Sequence, residues 1–191
     1  MAHKFDPAHA ERLHDPERRS WQDPGAILPV LGLNEGMAAA DVGCGTGFFA
    51  LPAAALVGPA GRVYAIDMQE PMLWTLLERL REAGLENVLP VLSLEDVIPL
   101  PADHVDFALL VNALHEVKGD GALREVHRIL RPGGTFGVVD WKKEPMERGP
   151  PVAHRIAQTE AEARLARIGF RGEAVDVGPF HYGLRRRVEK G

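Results

Sequence analysis

The run Ala40-Asp41-Val42-Gly43-Cys44-Gly45-Thr46-Gly47 constrains this chain more than any other stretch of it. It joins a short apolar segment, Met37 to Val42, to a helical pattern from about Gly47 to Val57. Glycines at such a junction admit backbone angles closed to other residues and let a ligand approach the main chain closely. They also open a helix whose first N–H groups face that ligand.

The same alternation of strand and helix continues downstream. Arg62–Ile66, Val88–Leu92, Val105–Val111 and Thr135–Asp140 read as strands, with helices at Glu70–Ala83, Gly121–Leu130 and Thr159–Ile168. Val105–Val111 is an unbroken apolar run, as expected of a strand buried on both faces of a parallel sheet. Arg131-Pro132-Gly133-Gly134 reads as a turn, and Thr159 as the N-cap of the last helix. Glu173–Val177 and Tyr182–Val188 have no helix between them and are expected to close the chain as an antiparallel edge hairpin. The expected fold is α/β, a doubly wound Rossmann-like sheet that is otherwise parallel with right-handed crossovers.

At 191 residues the chain suits one domain with a full core. Residues 25–191 are read as that domain and residues 1–24 as an appendage laid over it. Asp15-Pro16 and Asp23-Pro24 each resemble a helix start, the second capping a short helix to Leu31 that Gly32 ends. No run approaches the roughly 20 apolar residues of a membrane span, and the polar start lacks a secretory h-region. The single cysteine, Cys44, excludes a disulfide framework and suits a reducing cytoplasm. A net charge of −5 disfavours a sequence-independent nucleic-acid binder.

Asp67 ends the second strand, Val63-Tyr64-Ala65-Ile66-Asp67. An acid at that place accepts both hydroxyls of a ribose, so the strand–glycine turn–helix–strand–acid frame points to a nucleoside. The dinucleotide fingerprint wants a glycine where this chain has Phe48. Asp41, two residues before the first glycine, would repel a pyrophosphate and favour a cationic amino-acid moiety beside a sulfonium. Both features weaken the reading as an NAD site.

Residues from about 37 to 140 resemble a class I S-adenosylmethionine-dependent methyltransferase. Asp41–Gly47 is similar to that superfamily's first motif, and Asp67-Met68 to its ribose acid with the apolar residue beside adenine. Val105–Asn112 is similar to its fourth strand, and Leu130–Gly134 to the turn before its fifth. The chain resembles the small type 11 group, close to quinone-biosynthesis methyltransferases of the UbiE type. The resemblance implies S-adenosylmethionine as cofactor and S-adenosylhomocysteine as product, on a seven-stranded fold. It implies that Gly43, Gly45 and Gly47 border the methionine part, with Asp41 near its ammonium. Asp67 then holds the ribose, Met68 packs on adenine, Leu94 and Glu95 contact adenine partly through backbone, and Asn112 offers its carbonyl to the methionine end.

A sulfonium methyl is already electrophilic, so a base is needed only if the acceptor still carries a proton. His115, after the fourth strand, is the candidate base; the alternative is a loop-shaping or capping role for His115 and Glu116. His154 and His181 are further candidates in the C-terminal third. Trp141 either lines an acceptor pocket or packs in the core. Lys142 and Lys143 read as a solvated loop, Arg185-Arg186-Arg187 as the solvent side of an edge strand, and Cys44 as a small packed residue. His3, His9 and His14 lack metal-ligand spacing, so no metal is expected. Phe5, Trp21, Arg12, Arg18 and Arg19 suggest that the N-terminal segment folds over cofactor and acceptor. Three function classes follow: a methyltransferase with a small-molecule acceptor, an NAD-dependent oxidoreductase, and an RNA-directed or non-catalytic S-adenosylmethionine-binding module.

Overall fold

A computed structural model describes residues 17–190; the Asp15-Pro16 helix start, Phe5, Arg12 and the histidines at 3, 9 and 14 lie outside them. Strands β1 (Ala38–Val42), β2 (Arg62–Asp67), β3 (Val88–Leu92), β4 (Val105–Val111) and β5 (Leu130–Trp141) pair in parallel. Strand β7 (His181–Val188) lies antiparallel between β5 and β6 (Phe170–Val175). The sheet order is β3-β2-β1-β4-β5-β7-β6. The chain thus moves outward from β1 to β3 and then returns to lay β4 on the other side of β1. Ligands bind at such a reversal, outside the carboxyl ends of the strands.

The helices are α1 (Arg18–Trp21), α2 (Pro24–Leu31), α3 (Ala50–Val57), α4 (Glu70–Ala83), α5 (Gly121–Ile129) and α6 (Gln158–Ile168), with a 3-10 turn at Val152–His154. Two cores flank the sheet. One joins Ala39, Val63 and Leu109 to Leu31, Phe49, Val57 and Leu76. The other joins Ala40, Ile66, Leu110 and Val138 to Leu123, Val126 and Leu165. Successive strand residues enter opposite cores, which is why the central strands read as continuous apolar runs.

Asp23 caps α2 as expected, accepting the Gly25 N–H at 3.0 Å, and Gly32 ends the helix at φ 100°. Elsewhere the boundaries shift for local reasons. Helix α3 begins at Ala50 because Gly43, Gly45 and Gly47 hold φ values of 73°, 53° and 89°, outside the helical region. Strand β5 starts early, with Leu130 paired to Val105, and the Pro132-Gly133 turn becomes an irregularity within the strand. Gly169, at φ 106°, ends α6 and sends the chain straight into β6 at Phe170. Thr159 is not the N-cap of α6; Ala157 holds that place, and Gln158 reaches Glu162 one turn on, at 3.1 Å.

The arginine triplet is also corrected. Strand β7 is internal, and Arg186 points to the face that α6 covers: it is only 8% exposed and bonds Glu162 of α6 at 3.0 Å and the Gly172 carbonyl at 2.7 Å. Arg187 faces solvent.

Candidate active site

The glycine turn is tied to the end of β2 by backbone bonds. The N–H groups of Gly43 and Cys44 both donate to the Ile66 carbonyl, at 2.8 and 3.0 Å. Gly45 N–H donates to one Asp67 carboxylate oxygen at 2.8 Å, and Gln69 N–H to the other at 2.9 Å. Burial pushes the Asp67 carboxyl above its ordinary pKa, against the backbone donors of Gln69, Gly45 and Met68. A Cβ on Gly47 would stand 2.5 Å from Leu76 Cδ1 and 2.6 Å from Leu51 Cδ1, so this glycine lets α4 approach the turn. Gly43 faces the loop after β4, where its Cβ would lie 3.8 Å from that of Ala113.

Asp41 takes the backbone N–H of Ala50, at the start of α3. Its Oδ2 is buried without a hydrogen-bond partner among the described residues. Burial, with Asp67 nearby, pushes its pKa up to about 7, although Arg18 and the Ala50 bond pull the other way. The Cys44 thiol is pushed up by burial and by the same two acids. An inert, packed cysteine is the expected consequence.

Across the turn lies α1. Arg18 stacks its guanidinium 3.9 Å from the Phe48 ring centre, and burial lowers its pKa to about 10. Its Nε and Nη2 donate to Gln22 Oε1 at 3.0 and 2.9 Å. Gln22 is fully buried and exchanges amide bonds with Asn112, at 3.1 and 3.4 Å. Asn112 follows β4 with φ 53°, a conformation an asparagine tolerates better than most residues. Gln22 Nε2 also lies 3.2 Å from His181 Nε2. His181 stacks against Trp21 at 5.9 Å and sits 4.2 Å from Trp141. Burial, with Arg18, Lys142 and Arg155, drives its pKa down to about 3, so it is neutral.

At the ends of β4 and β5, Asp140 is wholly buried and accepts three bonds. His115 Nδ1 lies 2.8 Å from Oδ1, His115 N–H donates to Oδ2 at 2.9 Å, and Trp141 N–H donates to Oδ1 at 2.8 Å. A carboxylate can only accept, so Nδ1 carries the proton and Nε2 the lone pair. Burial alone would lower the His115 pKa; the Asp140 bond and charge, with Glu116, outweigh it and raise the value. The following loop is held by Arg155, whose guanidinium donates to the carbonyls of Lys142, Glu144, Arg148 and Pro150 at 2.8–3.0 Å. Gly149 in this loop lies flat on Trp141, where a Cβ would come within 2.7 Å of the indole.

Residues 40–138 match the family described as a methyltransferase domain. The chain belongs to the class I S-adenosylmethionine-dependent methyltransferases. A solved S-adenosylmethionine-dependent methyltransferase from Aquifex aeolicus is 37% identical, covers 97% of this chain and 100% of its own, and superposes with a TM-score of 0.93. The ubiquinone/menaquinone biosynthesis C-methyltransferase of Shewanella sp. (strain W3-18-1) is 33% identical over 63% of this chain and 49% of its own length. The demethylmenaquinone methyltransferase of Geobacillus stearothermophilus is 30% identical over 66% and 56%. The chain spans about half the length of these curated relatives. S-adenosylmethionine is the family's cofactor.

For this methyltransferase the structure gathers Asp41, Gly43, Gly45, Gly47, Asp67, Met68, Asn112 and His115 at one edge of the sheet. Leu94 and Glu95 sit in the loop after β3, which is joined to the end of β2 by a 2.9 Å bond from Ser93 N–H to the Asp67 carbonyl; both are exposed. His154 is exposed, and Trp141 is packed. Among the described residues no cluster of three His, Cys, Asp or Glu side chains could hold a metal. A 560 Å³ groove lined by Gly58, Arg62, Leu85 and Asn87 lies at the opposite edge of the sheet, at the amino ends of the strands.

Asp140, read only as the end of the fifth strand, and Gln22 have no site role in the sequence reading, yet both are buried at this edge. Asp140 was legible in one respect: β4 and β5 run parallel in register, Val111 against Val139, so residues just beyond their ends become neighbours. Gln22 carries no such signal: besides Arg18 one turn away, its partners Asn112 and His181 are 90 and 159 positions distant.

Proposed function

We propose that this chain transfers the methyl group of S-adenosylmethionine to a small ring acceptor of the quinone-precursor type. The observation that carries the cofactor half is Asp41 Oδ2, buried and unpartnered beside the glycine turn. A carboxyl left so in a low-dielectric interior ionises readily only when a positive group arrives, and an amino-acid ammonium beside a sulfonium supplies one. A pyrophosphate would be repelled by Asp41 and Asp67 together. On this reading Asp41 faces the ammonium and Gly43, Gly45 and Gly47 border the methionine chain. Asp67 takes the ribose hydroxyls on oxygens already oriented by Gly45 and Gln69. Met68, Leu94 and Glu95 line the adenine, and Asn112 presents its carbonyl to the methionine end.

The electrophilic methyl group comes from the bound cofactor. The chain's own task is to align the acceptor and exclude water, and orientation alone can supply roughly 7–11 kcal/mol. Residues 17–24 are suited to that exclusion, because Arg18, Trp21 and Gln22 already pack over Phe48, His181 and Asn112. The acceptor half rests on the quinone-precursor activities of the Shewanella and Geobacillus relatives and on a net charge of −5, which disfavours RNA. A reducing cytoplasm fits the single buried thiol, and among the described residues no helix is long and apolar enough to cross a membrane.

Incubating the protein with methyl-labelled S-adenosylmethionine and a deproteinised metabolite extract tests this. Label is expected in a small, solvent-extractable compound. Label confined to added RNA or protein would overturn the acceptor class.

A further inference from the structure

His115 and Asp140 meet across the ends of two neighbouring parallel strands; one bond ties the imidazole to a wholly buried carboxylate, which the backbone N–H groups of His115 and Trp141 hold in place. Nδ1 is committed to Asp140, which leaves Nε2 as the nitrogen with a lone pair. That atom lies 3.9 Å from Glu116 Oε1; the imidazole is 7% exposed and the Glu116 side chain beside it 35%. The ring cannot swing away without breaking its bond to an acid that the backbone already anchors. Such an arrangement does more than shape a loop: it sets tautomer, direction and basicity of one nitrogen.

The charges around this nitrogen select among acceptors. Asp140 on β5 and Glu116 on the same loop are the acids facing His115, and Arg155 is the cation set against it. Arg18, Lys142 and Arg155 together act on His181, one strand further on. At His115 the two acids outweigh the one cation, which raises its basicity and suits an acceptor that gives up a proton. Trp141 and Trp21 bring aromatic surface to the same end.

We propose that His115, positioned by Asp140, is the catalytic proton acceptor, and that the methyl acceptor is a ring bearing a phenol- or enol-type hydroxyl. The proposal rests on the methyl-transfer reading above and deepens it. The hydroxyl proton passes to His115 Nε2, and the O–H electron pair stays on the acceptor. The new bond to the methyl carbon forms from that oxygen or from the adjacent ring carbon. The methyl–sulfur bond breaks with its pair going to sulfur. After attack from carbon, the ring C–H proton is lost and the hydroxyl is restored. Asp140 holds the resulting imidazolium through its bond to Nδ1.

The test uses the full chain and its His115→Gln and Asp140→Asn variants, with 4-methylphenol and 4-nitrophenol as acceptors and labelled S-adenosylmethionine as donor. Calorimetry comes first: cofactor affinity in His115→Gln is expected within about twofold of the parent chain. Turnover of the weakly acidic 4-methylphenol should fall about 100-fold or more, in the range of general-base contributions. Turnover of 4-nitrophenol, at a pH where it ionises unaided, should fall far less. In the parent chain turnover should rise with pH as the imidazole loses its proton. Asp140→Asn should move both that rise and the His115 imidazole resonance titration to lower pH.

Equal losses with both phenols would overturn the assignment. So would a His115 titration indifferent to Asp140→Asn, or label entering only amines and thioethers. No cofactor heat and no transfer to any compound would instead sink the methyl-transfer reading itself, so the two failures are distinguishable.

Discussion

Asp41 and Asp140 are both buried acids at the carboxyl edge of the sheet, 4% and 0% exposed, yet their surroundings are opposite. Asp140 accepts three protein N–H donors and is complete as it stands. Asp41 keeps one oxygen without a partner and has a pKa pushed up to about 7. A buried acid whose bonds are all made is part of the scaffold. One whose bonds are missing marks where a ligand belongs. The glycine-turn end, the proposed cofactor seat, keeps an open acceptor, while the β4–β5 end is assembled in advance.

The sharpest way to break this contrast is to remove each acid. Asp140→Ala strands three buried donors and should cost roughly 3–5 kcal/mol in urea unfolding. Asp41→Asn should do the reverse in the protein without cofactor. Folded Asp41 holds its proton to about pH 7, whereas the unfolded chain releases it near pH 4. The folded state binds more protons in that window, so Asp41 makes stability fall as pH rises through it. Asp41→Asn should thus gain about 2–4 kcal/mol at pH 8 and nothing at pH 4, in unfolding curves at both. The same variant should bind the cofactor more weakly. A destabilised Asp41→Asn would mean that the acid is already satisfied.

Asp67→Ala probes the ribose acid. Charge-assisted bonds are worth roughly 1.5–3 kcal/mol, so cofactor affinity should fall about tenfold or more. Unchanged affinity would remove Asp67 from the site. The smallest effect is expected from Gln22→Leu, which unpairs Asn112 and His181. We expect cofactor affinity to fall a few-fold by calorimetry, with the fold retained; no change would make α1 mere packing.

The two ends were also unequally legible in the sequence. The cofactor end is written in contiguous stretches, Asp41–Gly47 and Val63–Met68, because one βαβ unit positions the whole set. The alternation of apolar runs disclosed the parallel order and the closing hairpin for the same local reason. The β4–β5 end is drawn from Gln22, Asn112, His115, Asp140 and His181, which meet only after the sheet is paired. No local spacing encodes that meeting. Arg186 failed for a related reason: whether a strand is at the edge or inside depends on β7 inserting beside β5, which period-two alternation does not show. Arg155, nearly fully buried with four carbonyl bonds, has no mark in the sequence, because its acceptors are the carbonyls of the loop that folds around it.

The central claim is that the unpaired Asp41 and the glycine turn form a seat for a cationic amino-acid nucleoside. Calorimetric titration of the intact protein with S-adenosylmethionine, S-adenosylhomocysteine and NAD tests it directly, run at about pH 6 in buffers of different ionisation enthalpy. The account predicts binding of both sulfur ligands, proton release as Asp41 ionises, loss of that release in Asp41→Asn, and no heat with NAD. Tight NAD binding with no response to either sulfur ligand would contradict it.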